Sequence, residues 1–411
     1  MTYKNLNILA AFSMHFINEQ KKKIYNDYKI NRLKTFEESK FYKKILKLNL
    51  ENFKNASDLE KKTTYIIKKN KIDILYLEYQ NRILDLSLEN QYGINFLKSL
   101  KKKYNIKICI FVPDVSIPLF YQNIVDTDDF IDANIISGST YLNKYKFKST
   151  VYMWEIFEKK FFNNEKKKID IFYSGQNKPE RQFILNKLSQ KINNGFYKDF
   201  NVYINYSSNS DKSNNYLNYS KYIKKFKQSK LTIGFSRTIF GFHCCNGRLF
   251  QALSARCLYL EHWNCETPKL FIPYLEYVPY YNFKDLDNKI NYFLNNPKEL
   301  DKIANNGHKK IKHKFNSKNY FNTLHKFIYK KERIFYILNY NNNYFKYFGF
   351  IRGWYLFVYE KYIRNILFKY FYKPIYFSFI RDIFVNLKRL QKYKKIYLKK
   401  LLSVRQQQNK C

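Results

Sequence analysis

Glycine and proline are scarce, with 10 and 8 among 411 residues, and 33 acidic residues stand against 75 Lys and Arg. No uninterrupted apolar run reaches the roughly 18 to 20 residues that a membrane-spanning helix needs. The amino-terminal stretch MTYKNLNILAAFSMHFINEQ is apolar for only about ten residues and lacks a small-residue cleavage signal before the charged run at Lys21, so it reads as a first strand and not a signal peptide. Six cysteines in a chain of this length exclude a disulfide framework and fit a reducing compartment. The expected location is cytoplasmic, with a membrane surface as a docking place. Ala, Gly and Pro are rare while Lys, Asn, Tyr, Ile and Phe abound, a pattern that AT-rich coding produces. Counts of Lys or Tyr alone therefore argue little.

What is present is the composition of a folded protein. Apolar residues make up 45%, and the length accommodates two α/β domains with an appendage. The net charge of +42 calls for acidic partners, and nucleic acid, anionic lipid headgroups and nucleotide-linked substrates all qualify.

Along the chain, strands are expected at Asn7 to Phe12, Ile72 to Glu78, Ile106 to Val112, Asn134 to Ser137 and Val151 to Trp154, with a Lys-rich helical stretch from about Thr35 to Lys69. This alternation marks a Rossmann-like domain over residues 1–163. The Asn- and Lys-rich stretch Phe161 to Lys168 is the linker candidate. A second Rossmann-like domain, 168–330, opens with a strand at Ile169 to Tyr173, a turn at Ser174 and Gly175, and a helix from Pro179, with Arg181 near its start. Residues 331–411 hold 18 Lys or Arg against 3 acidic residues, interleaved with Tyr, Phe, Ile and Trp354. Helical spacing sets Ile363, Ile366, Leu367 and Tyr370 on one side and Lys361, Arg364 and Lys369 toward the other, as in basic amphipathic helices retained by anionic membranes. Packing on the first domain and contact with nucleic acid are the other readings of this extension.

The stretch around which the chain is organised is KLTIGFSRTIFGFHCCNGRLFQALSARCLYLEHWN, Lys230 to Asn264. It reads as strand, loop, helix, strand, the repeat of open parallel α/β sheets, in which ligands lie where loops enter helix N-termini. Asn246 is a favoured N-cap, Gly247 permits close approach, and Arg248 stands in the first helical turn, where it opposes the helix dipole. A bound anion would resolve that opposition. A solvent-facing Arg beside a capped helix is the plain alternative.

Two imitations of metal sites lie in the chain. His243, Cys244, Cys245, Cys257, His262 and Cys265 fit no standard zinc spacing and read as buried, inert thiols around a loop. Asp126, Asp128 and Asp129 imitate a metal-binding D-x-D but read as a solvated acidic turn. No metal and no cofactor are expected.

The segments SKLTIGFS, NGRLFQALSARCLYLEHW and YYNFKDLDNKINYFLNNPKELDKIANNGHKKIKHKFNSKNYF follow one another in an order that resembles the donor-binding half of two-domain (GT-B) glycosyltransferases. The pattern is similar to the "glycosyl transferases group 1" type of CgeB-like and spore-maturation-protein-like sequences. Leu286, Ile290, Leu294, Pro297, Ile303, Gly307 and His313 stand in step with the family's tail. The run IDIFYSGQNKPERQFILNKL resembles the opening of its donor domain. The resemblance spans Lys221 to about Phe327 closely. It reaches the first half only in layout. Gln251 stands where the family usually has Glu, expected there to bind the donor's ribose, and Arg256 stands where it usually has Gly.

The resemblance implies two Rossmann-like domains facing across a cleft and metal-independent transfer of a sugar from a nucleotide-sugar, which is substrate and not cofactor. The leaving diphosphate would be held by Arg237, Arg248 and the amides near Asn246 and Gly247, beside Ser236. Ser174, Gly175 and Gln176 would line the donor pocket, Gln251 would meet the ribose or sugar hydroxyls, and Glu261 is a further candidate. His15 and Asp114, each just past a strand of the first domain, are the candidates for a base that deprotonates the acceptor. The implied partners are a glycan or lipid-linked acceptor and an anionic membrane surface, with no specific nucleic acid. A catalytically silent scaffold of the same fold is the alternative that Gln251 and Arg256 motivate. A basic nucleic-acid-binding protein is a third reading.

Overall fold

The computed structural model describes residues 5–12, 15–17, 23–25, 27–78, 92–112, 124–125, 127–138, 147–157, 159–162, 165–176, 179–207, 217, 219–236 and 243–332, together with residues 354, 358 and 362. The remaining positions, including Asp114, Asp126, Arg237 and nearly all of 331–411, lie outside the described residues.

The first sheet is built from β1 (Leu6–Phe12), β4 (Tyr42–Asn49), β5 (Ile74–Glu78), β6 (Lys107–Val112), β7 (Ala133–Ser137) and β8 (Thr150–Met153), in the order β4-β1-β5-β6-β7-β8. All pairings in it are parallel. Its inner strands are near-continuous apolar runs because helices cover both faces. Every residue of ANIIS in β7 is buried, for example. Just past β1, a hairpin pairs β2 (His15–Ile17) with β3 (Lys23–Tyr25). The crossovers described are α1 (Asp27–Ser39), α2 (Ala56–Asn70) and α3 (Ile94–Tyr104).

The expected helix from Thr35 to Lys69 is in fact a helix, a strand and a helix, for α1 ends at Ser39 and β4 intervenes before α2. The sequence YKKILKLN misleads because β4 is an edge strand, paired only with β1. Lys43 and Lys47 lie on one side and Lys44 on the other, all three exposed, and such lysines also guard an edge against stray pairing.

The second sheet comprises β9 (Ile169–Gln176), β10 (Val202–Ser207), β11 (Ser229–Gly234), β12 (Leu258–His262) and β13 (Val278–Tyr280), ordered β10-β9-β11-β12-β13 and again parallel. Its helices are α4 (Pro179–Asn193), α5 (Tyr219–Lys227), α6 (Gly247–Ser254), α7 (Thr267–Leu270), α8 (Phe283–Asn295), α9 (Pro297–Lys314) and α10 (Ser317–Lys330). The strand β10, which no sequence signal marked, is an outer strand of this sheet. Asparagine does much of the capping: Asn55, Asn246, Asn282 and Asn316 each accept a backbone N–H in the first turn of their helix.

Gly307 explains part of the tail pattern. A Cβ there would lie 2.6 Å from the Glu276 carbonyl and 2.7 Å from Leu253, so only glycine lets α9 close on α6.

Each sheet has its own core on one face, and a third core runs through both domains. Ser317–Lys330, in sequence the end of the second domain, crosses back onto the first. There Phe321 meets Phe36 at 4.6 Å between ring centroids, Tyr320 and Tyr76 share a hydrogen bond of 3.2 Å, and His325 bonds the Tyr42 hydroxyl at 3.1 Å. The linker candidate is partly core as well, since Phe161 is fully buried. Among the described residues no helix is long and apolar enough to cross a membrane.

Candidate functional site

In both sheets the first strand sends the chain outward to one edge and the third starts the walk to the other, so the strand order reverses between β1 and β5 and between β9 and β11. Ligands of open α/β sheets bind at such a reversal, outside the carboxyl ends of the strands. The two sheets turn those ends toward each other. Gly138, directly after β7, accepts the Cys245 N–H at 2.5 Å, immediately ahead of α6.

At the reversal in the second domain lies a cavity of about 300 Å³ lined by Arg181, Tyr222, Phe235, Asn246, Gly247, Arg248 and Gln251. Two cations and no carboxylate stand among these residues. The Arg248 guanidinium reaches across to β9, where Nη2 donates to the Ser174 carbonyl at 2.6 Å while the group lies 4.5 Å over the Tyr173 ring. Arg181, in the first turn of α4, sits 5.8 Å over the Phe235 ring. Tyr222 donates its hydroxyl to the Gln251 Oε1 at 2.7 Å, which turns the amide NH₂ of Gln251 away from Tyr222.

The start of α6 is held from behind. Asn246 Oδ1 accepts the Leu249 N–H at 3.3 Å and the Tyr259 hydroxyl at 3.2 Å, while Nδ2 donates to the Phe235 carbonyl and the Ser236 hydroxyl, both at 3.0 Å. Gly234 makes room for this, because a Cβ there would lie 1.9 Å from the Tyr259 hydroxyl oxygen. With Leu249 N–H engaged by the cap, the amides of Gly247 and Arg248 are the ones left to an anion in front of the helix. At the other end the His308 Nδ1 lies 3.1 and 3.0 Å from the Leu253 and Ser254 carbonyls, and Lys167 donates to the Ala255 carbonyl at 2.9 Å. Donors thus satisfy the carbonyl end of the helix, and its amide end points at the cavity.

Of the residues expected at a donor site, Asn246, Gly247, Arg248 and Gln251 line one cavity. Ser174 and Gly175 border it through Arg248. Gln176 ends β9 at the same edge of the sheet. Ser236 and Glu261 are fully buried beneath the cavity, bonded to each other, and do not line it. Burial pushes the Glu261 carboxyl up to about 7. Arg237 and Asp114 lie outside the described residues, and His15 is placed only by its strand, which follows β1 in the chain. Tyr222 and Phe235 were not foreseen. Among the described residues no group of His, Cys, Asp and Glu could hold a metal ion.

Residues 180–326 match the family model described as "Glycosyl transferase-like". That match covers most of the second domain. No curated protein matches the chain by sequence. Among solved structures, this chain resembles Anabaena HepE in complex with UDP, at 9% identity and a TM-score of 0.50 over 79% of this chain and 99% of that one. It also resembles sucrose-phosphate synthase from Thermosynechococcus elongatus, at 9% identity and 0.52 over 79% and 100%. A glycosyltransferase from Rickettsia africae is similar at 10% identity and 0.50 over 80% and 100%. At such identities the likeness establishes the fold, which is GT-B.

Proposed function

We propose that this glycosyltransferase takes its sugar from a nucleotide diphosphate held at the α6 amide end and passes it to a glycan or lipid-linked acceptor at the cytoplasmic membrane surface, without a metal. The observation that carries this reading is the cavity at the strand-order reversal, where Arg181, Arg248 and the first turn of α6 converge. Departure of a nucleoside diphosphate builds negative charge on its phosphates. Two guanidinium groups and free helix amides stabilise that charge without a divalent cation. Anabaena HepE, of the same fold, holds UDP, which makes UDP the first nucleotide to try.

The acceptor hydroxyl must approach from the first domain, and a base there would take its proton. His15, on the hairpin that follows β1, and Asp114, after β6, are the two candidates. The membrane reading rests on the basic, aromatic sequence of 331–411, in which Trp354 and Tyr362, eight residues apart, are exposed.

The test is calorimetric titration of UDP into the full chain in EDTA, beside the Arg248→Ala variant. Wild-type binding that falls at least tenfold in the variant is the expected result; equal binding by both, or none by either, sinks the assignment. A second reading, a scaffold that binds donor without turning it over, is favoured by Gln251, whose carbonyl oxygen is engaged by Tyr222. Slow release of free sugar from a bound UDP-sugar would rule that scaffold out.

A further inference from the structure

Glu261 is the least exposed carboxylate near the cavity, and the cavity does not contain it. It stands on β12 opposite Gly234 of β11, with no solvent exposure. One of its oxygens accepts the Ser236 hydroxyl proton. Thr267 and Asn264 are the polar side chains nearest the rest of the carboxylate.

The Ser236 bond fixes a direction along the whole chain of contacts. Because Ser236 spends its one proton on Glu261, its oxygen can only accept from Asn246. Asn246 must then present Nδ2 to Ser236 and Oδ1 to the Leu249 N–H and the Tyr259 hydroxyl. An acceptor at position 261 is thereby transmitted, through two side chains, to the cap of the helix whose first turn lines the cavity.

We infer that Glu261 is a positioning residue of the anion site: it sets the Asn246 cap through Ser236, and its charge, directly behind the amide end of α6, weakens the hold on a diphosphate in front. The inference rests on reading the cavity as the diphosphate site. Its physical basis is opposition of like charges across a short, dry path, where screening is weak. Protonation of Glu261 removes the opposition and leaves the hydrogen bond to Ser236 in place.

Titratable groups face Glu261 from every element packed against it. Tyr259 on its own strand, Cys245 on the loop and Tyr280 on β13 are all pushed up by burial and stay neutral. Glu266 pairs with Lys269 at 3.2 Å, and His262 stacks on Tyr280 at 5.4 Å. Glu261, raised by burial to about 7, changes charge in the range where an enzyme works.

The experiment is titration of UDP into the full chain at pH 6 and pH 8.5, for wild type, Glu261→Gln and Ser236→Ala. Glu261→Gln keeps an acceptor for Ser236 but carries no charge. Its affinity is expected to match wild type at pH 6 and to exceed it about threefold to tenfold at pH 8.5. Ser236→Ala, which breaks the chain of contacts, is expected to weaken binding about tenfold at both pH values. The ionisation of UDP itself is common to all three proteins and cancels in the ratio. If wild type binds UDP and Glu261→Gln follows the same pH curve, the inference fails while the site stands. If wild type binds no UDP at either pH, the site reading fails and the inference falls with it. Should the variants not fold, proton uptake by wild type on binding UDP at pH 8, read from heats in two buffers, is the remaining check, and zero uptake overturns the inference.

Discussion

Arg256 shows how a single departure from a family pattern is read. The residue has a φ of +52°, in the left-handed region where glycine is at ease, and it follows the carboxyl end of α6, away from the cavity. The usual Gly at this place serves the turn into β12 and not the ligand. Arg256→Gly is expected to leave UDP affinity unchanged and to shift stability by less than about 1 kcal/mol, since relief of the left-handed cost is offset by a more flexible unfolded chain. Urea denaturation and calorimetry would check both, and a tenfold change in affinity would refute the separation. Gln251 is the opposite case. It faces the cavity, its carbonyl is taken by Tyr222, and what it offers a ligand is a donor. The sequence placed Gln251 at the site; the Tyr222 contact, between residues far apart in the chain, needed the fold.

At the scale of elements, α10 decides how the two halves stay together. His325 is fully buried on it, bonded to Tyr42 of β4, and burial lowers its pKa to about 4. The folded state therefore holds fewer protons than the unfolded one below pH 6.5. This contribution to stability is complete above pH 6.5 and lost as the pH falls toward 4, up to about 3 kcal/mol. Glu261 has the opposite sign: its raised pKa favours the folded state below 4.5 and that contribution is lost as the pH rises through 7. The two slopes oppose each other in the wild type. His325→Phe removes one of them, so its melting temperature is expected to gain on wild type steadily from pH 7 to pH 4.5. A constant difference across that range would show that His325 does not titrate on unfolding. Among the strands that sequence reading missed, β4 and β10 are outer strands with one neighbour each. Inner strands announce themselves by continuous apolar runs, whereas outer strands keep a wet side whose lysines fit a helix as well.

At the scale of the whole molecule, the net charge of +42 and the basic composition of residues 331–411 predict association with acidic surfaces. The full chain is expected to co-sediment with vesicles containing phosphatidylserine at low salt and to leave them above roughly 0.5 M salt, where the Debye length falls to a few ångströms. Retention by purely zwitterionic vesicles would point instead to insertion of the aromatics. The continuous core through both domains makes their relative placement part of the fold. Trp154 meets Phe315 at 5.3 Å and Tyr320 at 5.8 Å, so the first domain's last strand and the helices returning from the second share one aromatic cluster.

The sequence by itself determined the alternation of strands and helices, the reversal-edge loop before Asn246, the cap, and the glycosyltransferase pattern from Lys221 onward, because these rest on residue types close together in the chain. Only the tertiary structure decided that Arg181 and Tyr222 join Arg248 at one cavity, that Glu261 stands behind it, and that α10 returns to the first domain. Those facts depend on which strand lies beside which, and strand order is set by packing over long separations that no local spacing encodes.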